Sequence, residues 1–169
     1  GVTIPGELEE EAALFDRLTI LPGCELDVLP NIHLTVLFDP ESPKDAMEDF
    51  LTRAGFPAYG RGRDVDPQQA QWHVTHALSE IEEMGAIGIA AHTDSAKGLY
   101  NASKQWNGAR VAAFTHDGLY AMEFSSTVTR DKIMSMMTQP QYRRRTQLAF
   151  IQSTEPCSTG SGISSRTTR

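Results

Sequence analysis

The sequence predicts an α/β domain, layered or barrel-like. Three observations carry that reading. Residues 19–40, TILPGCELDVLPNIHLTVLFDP, have the period-2 pattern of two strands joined by a tight turn. Apolar stripes of helical spacing follow, opened by Ser-Pro or Asp-Pro and closed by glycine. Short apolar runs then alternate with further helical stripes to near the C-terminus, as in a sheet covered by helices.

Residues 7–17 fit a helix, with Leu8, Ala12 and Phe15 on one side and acids in the first turn, where the dipole favours them. In the second strand of the hairpin, Ile32, Leu34, Val36 and Phe38 alternate with His33, Thr35 and Leu37. In the first strand, Glu25 and Asp27 share one face, while Cys24, Leu26 and Val28 share the other. A turn centred on Leu29 sets Glu25 directly opposite His33, about 5 Å away. Such a pair is either a satisfied polar contact or two ligands of one metal.

Ser42 as N-cap and Pro43 at the first helical position open the next helix, which turns Met47, Phe50, Leu51 and Ala54 inward and stops at Gly55. Residues 56–65 read as a loop bearing Arg61 and Arg63. Asp66-Pro67 repeats the start signal, for a helix burying Ala70, Val74, Ala77, Leu78 and Ile81 and ending at Gly85. Residues 86–91 form a short buried strand. Residues 103–115 are helical with a break at Asn107-Gly108, and Asp117-Gly118 turns the chain into a strand over residues 119–124. Residues 129–137 form a helix whose Met134, Met136 and Met137 fill core space. Arg143, Arg144 and Arg145 belong to a solvated basic face, and residues 148–152 are the last strand. From Ser153 onward Ser, Thr and Gly dominate, dividing the chain into a domain over residues 1–152 and a tail over 153–169. The sheet starts and stops abruptly, as an incomplete one does.

A chain of 169 residues is one domain in length. With 15 Lys and Arg against 22 Asp and Glu the net charge is −7, which disfavours nucleic-acid binding by phosphate neutralisation. Bound divalent cations would reverse that sign locally. No stretch approaches the roughly 18 apolar residues of a membrane span, and the opening GVTIPGELEEE lacks the pattern of a secretory leader. Cys24 and Cys157 are expected as free thiols or a ligand rather than a disulfide, in a cytoplasmic protein.

His92 ends the strand GAIGIAA. Strict alternation places Gly88 and Ala90 on its side, small neighbours that leave room beside the ring. Strand ends are where α/β folds carry their sites; the alternative is a histidine that caps the strand by bonding a backbone carbonyl. The loop beyond it offers Asp94 and Lys97. Lys97 or Arg61 could steady a phosphate, or serve as a surface charge. Glu123, inside LYAMEFSS, is a carboxylate in an apolar strand and wants a partner: backbone, the residues of the site, or a metal. Asp27 lies beside the Glu25–His33 pair. His73 and His76, near Glu80, are close enough on a helix to share an ion, but lie off its apolar stripe and read as exposed histidines. His116 reads as a turn residue.

PGCE, IHLTVLF and GIAAHTD, in that order, resemble motifs of the polymerase and histidinol phosphatase (PHP) domain, and are most similar to PHP domains fused to AAA-type ATPases. The resemblance runs over roughly residues 7–157 as a string of short motifs. It implies a partial, distorted (β/α) barrel lacking its opening strands, with Glu25, His33 and His92 as metal ligands. It also implies a phosphoesterase in which Zn, Mn or Fe ions hold the hydroxide that attacks phosphorus. The implied substrate is a phosphorylated small molecule or a nucleic acid, and the implied partner an ATPase domain in the same protein; the chain itself has no P-loop. The family's H-x-H and D-H pairs have no counterpart and would lie before Gly1. Its closing Asp-x-His corresponds to Glu155 and Cys157 in LAFIQSTEPCS, both able to ligate a metal. Glu123 is a further candidate ligand, and Asp27, Asp94 and Lys97 are candidates to support the ligands or bind phosphate. Two other readings stand beside the enzyme: a non-catalytic PHP-like scaffold or partner-binding domain, and an unrelated α/β module in which Glu25 and His33 are simply hydrogen-bonded. A barrel short of strands exposes sheet edges, so self-association is expected of the isolated chain.

Overall fold

The computed structural model describes residues 18–58, 61, 70–106, 108–144 and 147–153. In chain order these form β1 (Gly23–Val28), β2 (Ile32–Leu37), α1 (Lys44–Arg53), α2 (Val74–Glu83), β3 (Ile87–Ala90), α3 (Leu99–Ala102), α4 (Gly108–Thr115), β4 (Leu119–Phe124), α5 (Thr127–Met137) and β5 (Ala149–Gln152). The strands pair in sequence order, β1-β2-β3-β4-β5. β2 runs antiparallel to both β1 and β3, whereas β3, β4 and β5 are mutually parallel. The class is α/β, as expected. Among the described residues the sheet is open and mixed, with β1 and β5 as its edges, rather than a closed barrel.

One face of the sheet makes the core. Leu26 and Val28 of β1, Ile32, Leu34 and Val36 of β2, Ala90 of β3, and Met122 and Phe124 of β4 are buried with Phe50, Ala54, Leu78, Ile81, Phe114 and Ile133 of the helices. Phe38 meets Phe50, and Phe50 meets Trp72, edge to face at 5.4 Å, the arrangement the ring quadrupoles favour. The alternate residues of β1 and β2 (Glu25, Asp27, His33, Thr35 and Leu37) are only partly covered or exposed. That second face carries the polar cluster.

The hairpin turns about Pro30, not Leu29. Val28 pairs with Ile32 and Asp27 with His33, while Glu25 pairs with Thr35. Asn31 takes the left-handed conformation (φ 70°) that asparagine tolerates in turns. Pro43 rather than Ser42 holds the N-cap position of α1: its carbonyl accepts from Ala46 N and Met47 N, and no side chain caps the end. Gly55, at φ +100°, ends that segment as expected. α2 begins at Val74, later than its periodicity suggests, with His73 as its N-cap. Ala70 is buried but precedes the helix, because the chain there runs along the hairpin: Ala70 N donates to Asp27 O at 2.7 Å, and Leu29 bridges His73 in parallel. Backbone pairing outweighs helical spacing at that point. Helical structure also starts earlier than expected in the next segment, at Leu99, and resumes at Gly108 after a 3-10 turn at Ser103–Gln105.

Three side-chain expectations change. Met134 is 46% exposed, so of the three methionines in that helix Met136 and Met137 alone pack against the core, beside the buried Ile133. Arg61 is no surface cation: it pairs with Glu48 and donates to Phe56 O and Glu48 O, stitching its loop to α1. Arg144 donates to Phe114 O at 2.6 Å and Leu119 O at 2.5 Å, and burial pulls its pKa below the arginine range. The residues expected as a helix over 7–17, Arg63, Asp66-Pro67, Arg145, Glu155, Cys157 and the tail beyond Ser153 lie outside the described residues.

Candidate metal centre

The strand period puts His33 on the open face of β2, with Asp27 directly across on β1 and Glu25 on the diagonal. His33 lies between the two carboxylates, Nδ1 2.7 Å from Glu25 Oε1 and Nε2 3.6 Å from Asp27 Oδ2. His33 Nδ1 is buried against the Glu25 carboxylate. Hydrogen bonding to His33 dominates the Glu25 carboxyl and holds its pKa below the usual carboxylate value. Partial burial pulls the other way, and the His33, His92 and Lys97 charges add to the lowering.

His92 reaches the same place by a different route. β3 ends at Ala90, whose partner Leu34 faces the core. Gly88 is on that core side too: a Cβ there would lie 3.3 Å from Leu78 Cδ2 of α2 and 2.4 Å from Gly118 O. Gly88 and Ala90 are therefore helix-packing residues, not neighbours of the imidazole. His92 escapes the alternation because its backbone is left-handed, with φ 30°. Its ring stands edge-on to that of His33, centroids 4.9 Å apart and planes at 77°. The loop is tied to β2 on both sides of His92, since Ala91 N donates to His33 O at 3.1 Å and His33 N to Lys97 O at 3.3 Å.

Glu25, His33 and His92 each bring one ligand atom within 4.8 Å of the others. Two imidazoles and one carboxylate form a donor set suited to Zn, Mn or Fe. The residues fit a divalent cation.

The other candidates take supporting places. Lys97 Nζ donates to Asp27 Oδ2 at 3.1 Å, so the lysine stands beside the cluster with its charge balanced. Glu123 Oε2 accepts from His92 N at 2.9 Å, a backbone role its sequence context allowed. Asp94 lies across the loop, accepting from Ser126 N at 2.7 Å and from Ser125 N at 3.1 Å. His73 and His76 are exposed; His76 stacks on Trp72 and contacts Glu80. His116 is the expected turn residue, its Nδ1 accepting from Gly118 N at 3.1 Å.

A Ser79–His116–Glu82 alignment has no signal in the sequence, with Ser79 Oγ 3.1 Å from His116 Nε2 and Glu82 Oε2 3.8 Å from Nδ1. It is wired against nucleophilic catalysis. The Gly118 N–H fixes Nδ1 as an acceptor, so the proton sits on Nε2 and is donated to Ser79, the reverse of what a general base requires.

No protein-family model matches the chain, and no curated protein matches it.

Proposed function

We propose that the protein is a divalent-metal-dependent phosphoesterase of the PHP type, with Glu25, His33 and His92 as ligands for Zn, Mn or Fe. The convergence of these three donors, from two strands and a loop, is the observation that supports it. A bound divalent cation would supply Lewis acidity to a phosphoryl group and an activated water to attack it. The chain's own residues do the rest. β1 and β2 hold Glu25 and His33 on rigid backbone, Glu123 and the Lys97 carbonyl fix the loop that carries His92, and Asp27 keeps the Lys97 ammonium beside the cluster. Lys97, partly exposed, is the group to meet a phosphoryl oxygen from the solvent side. The substrate is then a phosphorylated small molecule or a nucleic-acid phosphodiester, handled in the cytoplasm, with an ATPase domain in the same protein as partner.

A second reading, a PHP-like scaffold or partner-binding domain without catalysis, is favoured by the size of the cluster. Three donors suffice for one ion, and among the described residues no further His, Cys, Asp or Glu joins them. One pair of measurements separates the readings. Metal analysis of the purified chain should find a divalent ion that His33→Ala removes. Hydrolysis of p-nitrophenyl phosphate or its diester in the presence of Mn or Zn should disappear in the same variant. Metal bound without hydrolysis leaves the scaffold; no metal in the wild type defeats both.

A further inference from the structure

The ends of the parallel strands β3 and β4 are strapped together from both sides. Glu123 of β4 supplies two acceptors to the loop after β3: its carboxylate takes the His92 N–H at 2.9 Å and its carbonyl the Thr93 N–H at 2.8 Å. In return, Asp94 of that loop takes the Ser125 and Ser126 N–H groups beyond β4, at 3.1 and 2.7 Å. The residue between these bonds is His92, a non-glycine residue at φ 30°. Left-handed backbone is unfavourable for a residue with a Cβ and persists only where its surroundings impose it. Without it, the alternation of β3 would return the His92 side chain to the face of Ala90, which is fully buried. His33 is on the other face.

We propose that Glu123 is a positioning residue for the metal centre. By accepting the His92 amide, it selects the left-handed turn and so presents the imidazole to Glu25 and His33 before any cation arrives. A side chain with an acceptor oxygen in an otherwise apolar strand has its reason here: it receives the His92 amide. The proposal deepens the metal-site reading, but its structural half stands without a metal.

The experiment uses the full chain as wild type, Glu123→Gln and Glu123→Met. Gln retains an acceptor oxygen, whereas Met keeps the volume and loses it. In metal-free protein, NMR should show ring–ring contacts between His33 and His92 in wild type and Glu123→Gln, and their loss in Glu123→Met. Titration with Co(II), followed by its d–d absorption, should give affinity within a few-fold of wild type for Gln and about 10–100-fold weaker for Met, the usual range for losing support behind a ligand. The wild type alone supplies a third measurement, an amide proton of His92 protected from solvent exchange. Ring contacts that survive in Glu123→Met, or a His92 amide exchanging at the solvent rate, overturn the proposal. So does an affinity loss in Glu123→Gln equal to that in Met, which would make Glu123 a ligand or a bare charge. A wild type that shows the ring contacts but binds no Co(II) sinks the metal reading and leaves the positioning role intact.

Discussion

His33 faces Asp27 across the hairpin, yet its Nδ1 is nearest Glu25, 2.7 Å from Oε1 and one diagonal step along β1. The diagonal spacing of an antiparallel pair is within reach of a long side chain, and glutamate is one methylene longer than aspartate. That difference assigns the two acids separate tasks. Glu25 reaches the point where His33 and His92 converge, while Asp27 stops short and holds Lys97.

The three ligands should therefore behave alike and Asp27 differently. Glu25→Ala, His33→Ala and His92→Ala are each expected to lower Zn or Mn affinity by more than the roughly 10–100-fold that loss of a supporting residue costs. Asp27→Asn should stay inside that range, since it frees Lys97 rather than removing a donor. Calorimetric titration of the four variants checks the ranking. An Asp27 variant as weak as the His33 variant would mean that the cation sits on the direct pair instead.

How much of this was legible follows from the period of a strand. Moving the turn centre from Leu29 to Pro30 shifts every partner by two residues, which preserves parity. The faces of Glu25, Asp27 and His33 could be read correctly while the residue opposite His33 was read wrongly. His92 is the opposite case: its place at a strand end was legible, but its neighbours were not, because one left-handed residue breaks the alternation and a histidine does not announce that conformation as a glycine would. Ala70 kept a helical spacing although its amide pairs with Asp27 O. Arg61 and Arg144 looked like surface charges because backbone carbonyl partners are invisible in a sequence.

Gly98 tests the loop that carries His92. A Cβ there would lie 2.2 Å from Thr93 O and 2.4 Å from His92 O, both backbone atoms that cannot swing aside. Gly98→Ala must displace the turn between His92 and Lys97, whose carbonyl receives the His33 amide. The expected result is a lower melting temperature together with weaker metal binding. Gly108→Ala is the control, since nothing lies within 4 Å of its added carbon and alanine suits the helix it begins. Equal metal affinity in the two variants would detach the loop from the site.

Arg144 offers a stability test remote from the cluster. Its two hydrogen bonds serve Phe114 O in the last turn of α4, where a cation also complements the dipole, and Leu119 O at the start of β4. Arg144→Met should cost about 1–3 kcal/mol, the usual penalty for unsatisfied buried groups, or roughly 2–4 °C of melting temperature per kcal/mol for a chain of this length. Arg144→Lys should recover little, because an ammonium lacks the planar fork that spans two carbonyls. Metal affinity should not move. A lysine variant melting with the wild type would show that charge, not geometry, is what this position requires.

Cys24 carries the pH prediction. It lies on the core-facing side of β1 with Leu26 and Val28, and burial pushes its thiol up to about 11, from about 9 for a free thiol. Burial disfavours the thiolate, so at pH 8 the folded protein holds about 100-fold less of the nucleophilic form than the unfolded chain. In Cys157→Ser, where Cys24 alone can report, iodoacetamide should label native protein about 100-fold more slowly than denatured protein, provided access is equal. The linkage has a definite sign. Between about pH 9 and about 11 the unfolded thiol has lost its proton and the folded one has kept it, so stability falls as pH rises through that window. Cys24→Ala should remove this part of the slope in urea melts of the Cys157→Ser background. Native and denatured labelling at the same rate, with an unchanged slope in the alanine variant, would place the thiol outside the core.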